Sequence, residues 1–311
     1  MSLPPVSSGM RSMALGAFYF SLMSLFVKLV GQRIPNQEIV FFRGLLTLAF
    51  TWGLLRRAGV APFGVRRGML VWRGVLGFLA LTCFYYSIVN LPLAEATVLQ
   101  YMNPLWAALF GTLFLAERMR KREVALVAAS LCGVIVIARP AVLFGGVIDP
   151  LDPVAVTAGL LGAVLSGAAY VVIRRLSSTE HPLVIVFYFP LVVVPVSLPG
   201  AVASFVWPEP RDLLFLLAMG VTGQVGQIYI TNGLQQEPAG RATAAGFLQV
   251  VFAGAWGILF FAEMPDLWTF MGAAVILTCT LALAFDRSGG LDEPTEALGV
   301  TGAKGDGAER P

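Results

Sequence analysis

Charge is what this sequence has least of. Only 13% of its 311 residues are Asp, Glu, Lys or Arg, against about 25% in a soluble domain. With 57% apolar residues and a mean hydropathy of +0.80, the chain cannot bury its apolar surface as a water-soluble globule. Much of that surface must face lipid. The net charge is only +3 and the basic residues form no long run, so no nucleic-acid partner is expected. Cys83, Cys132 and Cys279 all sit inside apolar runs, at no metal-ligating spacing, and read as small packing residues. The single histidine, His181, precedes Pro182 in a turn and reads as solvated, so no Ser/His/Asp set is expected to converge. G-x-x-x-x-G-K-[ST] is missing, and with it the phosphate cradle for ATP. These absences argue against an enzyme, and no cofactor or metal is expected. No acidic residue falls at the centre of an apolar run, which weakens ion coupling through a buried carboxylate. No small-x-small cleavage site follows the first apolar run, which therefore reads as a membrane span rather than a leader.

What is present is a series of apolar runs. They lie near residues 11–30, 36–55, 68–90, 93–115, 122–139, 154–174, 182–206, 211–234, 239–262 and 266–285. Each has about 17–25 residues, enough to cross roughly 30 Å of hydrocarbon. The expected fold is an all-α integral membrane protein with ten transmembrane helices. Sixteen Lys and Arg fall on one side of this topology and four on the other, with Arg43 inside a run. The positive-inside rule then puts both termini in the cytoplasm.

The runs are related in pairs. Residues 92–117, PLAEATVLQYMNPLWAALFGTLFLAE, align without a gap on residues 238–263, PAGRATAAGFLQVVFAGAWGILFFAE, at an offset of 146. Nine of 26 positions are identical, among them the closing pair Glu117/Glu263. The same offset places Leu15-Gly16-Ala17 on Leu161-Gly162-Ala163, Lys28 on Arg174, and Arg43-Gly44 on Phe189-Pro190. The chain therefore reads as a duplication. Five helices per copy is an odd number, so the second copy crosses the membrane in the opposite sense. Inverted repeats belong to secondary transporters, whose substrate site lies near the midplane where the halves meet. The expected organisation is a cytoplasmic lead at 1–10, a first repeat at 11–139, a connection at 140–153, a second repeat at 154–286 and a disordered cytoplasmic tail at 287–311.

The 5+5 arrangement, the repeated Phe-x-Ala-Glu ending and the Phe41-Phe42-Arg43-Gly44 run resemble the drug/metabolite transporter superfamily, specifically its EamA-type members. That resemblance covers about residues 11–286. It implies a multi-pass inner-membrane carrier of small metabolites, without naming a substrate.

Polar groups inside the runs are the candidate substrate contacts, because burying them in lipid is costly. Arg43 either binds an anionic substrate group through its forked donors, or snorkels, or pairs with Glu38 or Glu95. Gln100 and Asn103 share a helix face, beside Tyr101 and Trp106. Pro104 should kink this helix and free a carbonyl towards a cavity. In the eighth run Gln224, Gln227 and Thr231 form a stripe with Tyr229 and Asn232 beside it. Gln249 is the repeat counterpart of Asn103, and Tyr85 lies in the third run with Tyr86. These groups either form a polar cavity or only fix helix packing. The first, third, fourth, sixth, eighth and ninth helices should line the path, with the fifth and tenth towards the periphery. Glu117 and Glu263 read as structural ties at helix ends, and Glu95 as a solvated end residue.

The expected function is alternating-access transport of a small polar metabolite across the inner membrane. An amino acid or related carboxylate moving outward is the leading reading. An uptake carrier stacking an uncharged heteroaromatic on Tyr85, Tyr101 or Trp106 is the alternative, and an intramembrane enzyme or lipid-handling protein is the reading of another class. The expected partners are the small-molecule substrate and the lipid bilayer, with a homodimer as an option.

Overall fold

The computed structural model describes residues 7–114, 121–138, 151–176, 178–236 and 246–289, with the side chains at 108, 123, 138, 231, 234, 235 and 283–289 outside that description. The helices are α1 (Ser8–Val30), α2 (Asn36–Ala58), α3 (Arg67–Asn90), α4 (Leu93–Gln100), α5 (Asn103–Phe114), α6 (Lys121–Ala138), α7 (Pro153–Leu176), α8 (Pro182–Ala203), α9 (Pro210–Gln236), α10 (Leu248–Phe261) and α11 (Leu267–Gly289). The short α4 and α5 form one crossing, so the bundle has ten. Six helices are individually long and apolar enough to span a membrane, and the other crossings use shorter apolar segments. The end at which α1 begins is here the N-terminal face, and the opposite end the distal face.

Local chemistry sets the helix ends. The Ser7 side chain accepts from the backbone N–H of Met10 and caps α1. Pro35 and Pro92 precede α2 and α4, and α2 stops at Gly59, whose φ of +64° suits a residue without Cβ. His181 is exposed and caps α8, its Nδ1 accepting from Leu183 N–H. The α4/α5 break falls at Tyr101-Met102, where the ring of Pro104 prevents continuous helix. The carbonyl of Tyr101 accepts from Thr280 Oγ1 at 3.2 Å. That carbonyl is thus engaged by α11, whereas the one Pro104 itself leaves without an i→i−4 donor is that of Gln100.

Packing follows the duplication. α1 lies along α9, and α3 along α7, its symmetry equivalent. α2 packs on α8, α4 on α10 and α6 on α11, each pair relating a helix to its own repeat copy. Single residues obey the same rule. Gly74 lies against Val192, and its counterpart Gly220 against Leu46, the counterpart of Val192. Gly16 faces Ile230, while Gly162 faces Phe84. Two inverted repeats related by a pseudo-two-fold axis explain all of these pairs at once. One hydrophobic core spans both repeats, with Val27, Ile39, Leu99 and Met102 from the first and Ala155, Ala163, Met219 and Ala253 from the second. Small residues let the helix backbones approach where lipid offers no hydrophobic driving force.

Candidate functional site

The distal face is tied shut by polar contacts between the repeats. α10 ends at Ala262, whose left-handed φ of 53° turns the chain back on itself. This lets Glu263 N–H bond the carbonyl of Gly257 at 3.0 Å. The Glu263 carboxylate then accepts from the buried Lys28 ammonium of α1 and from Leu93 N–H, the first residue of α4. Lys28 also donates to the carbonyl of Leu91. One carboxylate thus ties three segments, which matches its reading as a helix-end tie; Glu117 lies outside the described residues. Glu38 accepts from Val206 N–H at 3.0 Å, and Arg33 pairs with Asp212 and Glu209 and donates to the carbonyl of Trp207. Glu95 is not solvated: it is buried and accepts from Thr269 Oγ1 at 2.7 Å. The first turn of α11 covers it and supplies the donor that a buried carboxylate requires.

Towards the N-terminal face the same helices part around a cavity of about 450 Å³, within the range of small-molecule sites. α2, α3, α7, α8 and α9 wall it. It runs from mid-helix positions such as Arg43 and Gly223 to Pro182 in the first turn of α8. This differs from the expected lining. Among the described residues the second and seventh spans contribute, and the first, fourth and ninth do not. α4 and α10 are held together instead, because the Tyr101 hydroxyl donates to the carbonyl of Gly246 and lies 3.2 Å from Gln249 Oε1.

Of the eleven candidate contacts, Arg43, Gln224 and Gln227 line the cavity. Tyr85 is buried behind Arg43, its ring centroid 6.0 Å from the guanidinium carbon. Gln249 is buried against Tyr101. Trp106 packs on α7 at Gly167. Tyr229 stacks on Tyr19 at 5.8 Å along the α1/α9 seam, and Asn232 is exposed near the end of α9. Gln100 and Asn103 flank the α4/α5 break, half-buried, away from the cavity lining.

Arg43 makes no salt bridge among the described residues; Glu38 and Glu95 are engaged elsewhere. Its Nη1 lies 2.7 Å from Met23 Sδ, and its buried Nε has no partner. A second cation joins it. Arg73 is the seventh residue of α3 and lines the same cavity, its guanidinium carbon 4.8 Å from the Phe189 ring centroid. Its Nε and Nη1 are buried without a hydrogen-bond partner among the described residues. Counting Arg73 with the loop charges at Arg66 and Arg67 hid it. The available signal was the spacing Arg73-Gly74 with Gly77, because Gly74 and Gly77 map on Gly220 and Gly223 of the second repeat. Among the described residues no Asp or Glu lines the cavity. Pro190 has no N–H to offer the carbonyl of Val186, another lining residue.

The arrangement of two inverted repeats accords with the comparisons. The EamA-like transporter family matches the chain twice, at residues 7–139 and 153–285. The chain belongs to the EamA-like transporter family. Within the wider group, the pseudopaline exporter CntI of Pseudomonas aeruginosa is 36% identical over 290 residues, 93% of this chain and 100% of that protein. Solute carrier family 35 member G1 of Homo sapiens is 31% identical, over 88% of this chain and 78% of the relative. A solved protein structure 19% identical superposes with a TM-score of 0.59 over 91% of this chain and 99% of the other, a likeness of fold. As an EamA-like transporter the chain is a multi-pass membrane protein that handles a small molecule in a lipid environment.

Proposed function

We propose that this chain is an inner-membrane exporter of a small carboxylate-bearing metabolite, working by alternating access, with the Arg43 cavity as its loading site. The observation that carries the reading is the Arg43 guanidinium, in the cavity wall and without a carboxylate partner among the described residues. A guanidinium in a low-dielectric site binds a carboxylate through charge-assisted hydrogen bonds. The sixteen-to-four charge asymmetry supports placing the N-terminal face, and so the cavity mouth, in the cytoplasm. That is where an exporter collects its load, and one relative bears the name of an exporter. A heteroaromatic uptake carrier gains no support, since Tyr85, Tyr101 and Trp106 are not among the lining residues.

Flux from proteoliposomes loaded with a mixed metabolite pool tests the proposal. Selective loss of carboxylates is expected, and chemical conversion or unselective leakage contradicts it. Arg43→Gln should cut transport by roughly 10- to 150-fold, the worth of a charge-assisted hydrogen bond. Arg43→Lys should retain part of it. Folding should survive Arg43→Gln, because no partner carboxylate is stranded.

A further inference from the structure

The pseudo-two-fold axis makes Arg43 and Phe189 equivalent positions, and the two sides of the cavity differ accordingly in sequence. They do not differ in charge. On one side the Arg43 guanidinium lies against Gly223 of α9, where an added Cβ would collide with Nη1 and sit 2.9 Å from Met23 Sδ. On the other, Phe189 lies against Gly77 of α3, where an added Cβ would meet its ring at 2.7 Å and Arg73 Nη1 at 3.0 Å. Gly77 and Gly223 are themselves repeat counterparts. So where symmetry gives a ring in place of Arg43, Arg73 reaches up one helical turn and lays its own guanidinium over that ring.

The two cations therefore sit on opposite walls. α3 packs on α8 and α9 on α2, with the cavity between them. They also sit at similar depth. Gly77 is ten residues past the start of α3 and Gly223 thirteen past the start of α9, about 15 and 20 Å from opposite faces. Among the described residues both guanidinium groups carry buried nitrogens without partners, and the lining holds no carboxylate to offset them. Two unneutralised charges at membrane depth are costly, and a cargo that neutralises both must bring two negative groups.

Resting on the carboxylate reading above, we infer that the cavity takes a dianionic substrate, with two separated carboxylate-class groups held one each by Arg43 and Arg73. Arg73 is then a second substrate contact and determines specificity. Its stacking on Phe189 holds the planar guanidinium in place while its N–H edge stays free for the anion.

The experiment is binding of a probe series to the purified full chain in detergent, by titration calorimetry. The probes are the linear dicarboxylates from succinate to suberate, their half-amides, and inorganic phosphate. One dicarboxylate should bind about tenfold or more tightly than its half-amide. Arg73→Gln should remove that preference, bringing the diacid down to the level of its half-amide, and Arg73→Lys should keep part of it. Equal binding of diacid and half-amide by the unaltered protein, both weakened by Arg43→Gln, overturns the inference and leaves the carboxylate reading standing. That comparison needs no Arg73 variant, so poor folding of one does not protect the idea. Phosphate binding as tightly as the best diacid means that both guanidinium groups share one anion, and also overturns it. No binding by any probe removes both readings.

Discussion

The distal and N-terminal ends of this bundle are exchanged when one repeat is laid on the other, yet they hold the halves together differently. At the distal end Glu263 gathers Lys28 and Leu93, Lys28 in turn bonds the carbonyl of Leu91, and Glu38 and Arg33 reach across to the segment leading into α9. At the N-terminal end Glu180 accepts from Val65 and Arg66 N–H, Ser8 meets Gln236, and between these ties the helices part around two arginines. The difference shows how ionisable groups serve opposite ends in one fold. Where each charge has a partner it fastens helices together. Where no partner is found among the described residues, the charge stands in the cavity wall, the position proposed above for substrate.

The largest expected effect comes from unpinning the distal end. Glu263→Gln leaves the Lys28 ammonium buried with only a carbonyl and a neutral amide, and breaking a buried pair costs about 3–5 kcal/mol. The apparent melting temperature in detergent should fall by several degrees, and Lys28→Met added to Glu263→Gln should recover part of the loss. An unchanged melting curve for the single variant means that this end is not pinned by charge.

Next comes the parted end. Gly223→Val puts a branched side chain where the Arg43 guanidinium lies, and Gly77→Val does the same beside Phe189 and Arg73. Transport should fall with either substitution, while Gly53→Val, at a position with open space around it, should be near wild type. Equal loss at all three sites would separate the effect from the cavity.

Thiol labelling sharpens the contrast position by position. In a background lacking Cys83, Cys132 and Cys279, cysteines at Gln224 and Gln227 should react with small aqueous reagents. Cysteines at Glu38 and Gln249 should be slow, being buried at the distal tie and in the α4/α10 contact. A bound substrate should protect the first pair alone.

The smallest effect is expected at Arg33, whose side chain is 40% exposed. Arg33→Gln should cost at most about 1 kcal/mol, as solvent-screened ion pairs do. A large loss would make the distal network more cooperative than its separate contacts imply.

Much of the fold was legible because lipid imposes a simple rule on composition. Every crossing must be helical and mostly apolar, so run lengths give the spans, and an odd repeat gives the inversion. The site was legible only in part. Arg43 stood out as a charge inside an apolar run, and Gln224 and Gln227 as a stripe. Glu95 looked like a solvated helix end because nothing local announces Thr269, 174 residues away. Arg73 looked like a loop charge because two arginines precede it.

By itself the sequence determined the ten crossings, their pairing at an offset of 146 and the family, since these depend on local hydropathy and on self-similarity along the chain. Only the tertiary structure decided which polar groups are spent on one another and which stand in the cavity wall. Lys28 and Glu263 lie 235 positions apart, and Arg73 meets Phe189 across the repeat boundary. A buried charge becomes a tie or a binding group according to what the facing helix presents to it, and that is settled only when the two repeats close on each other.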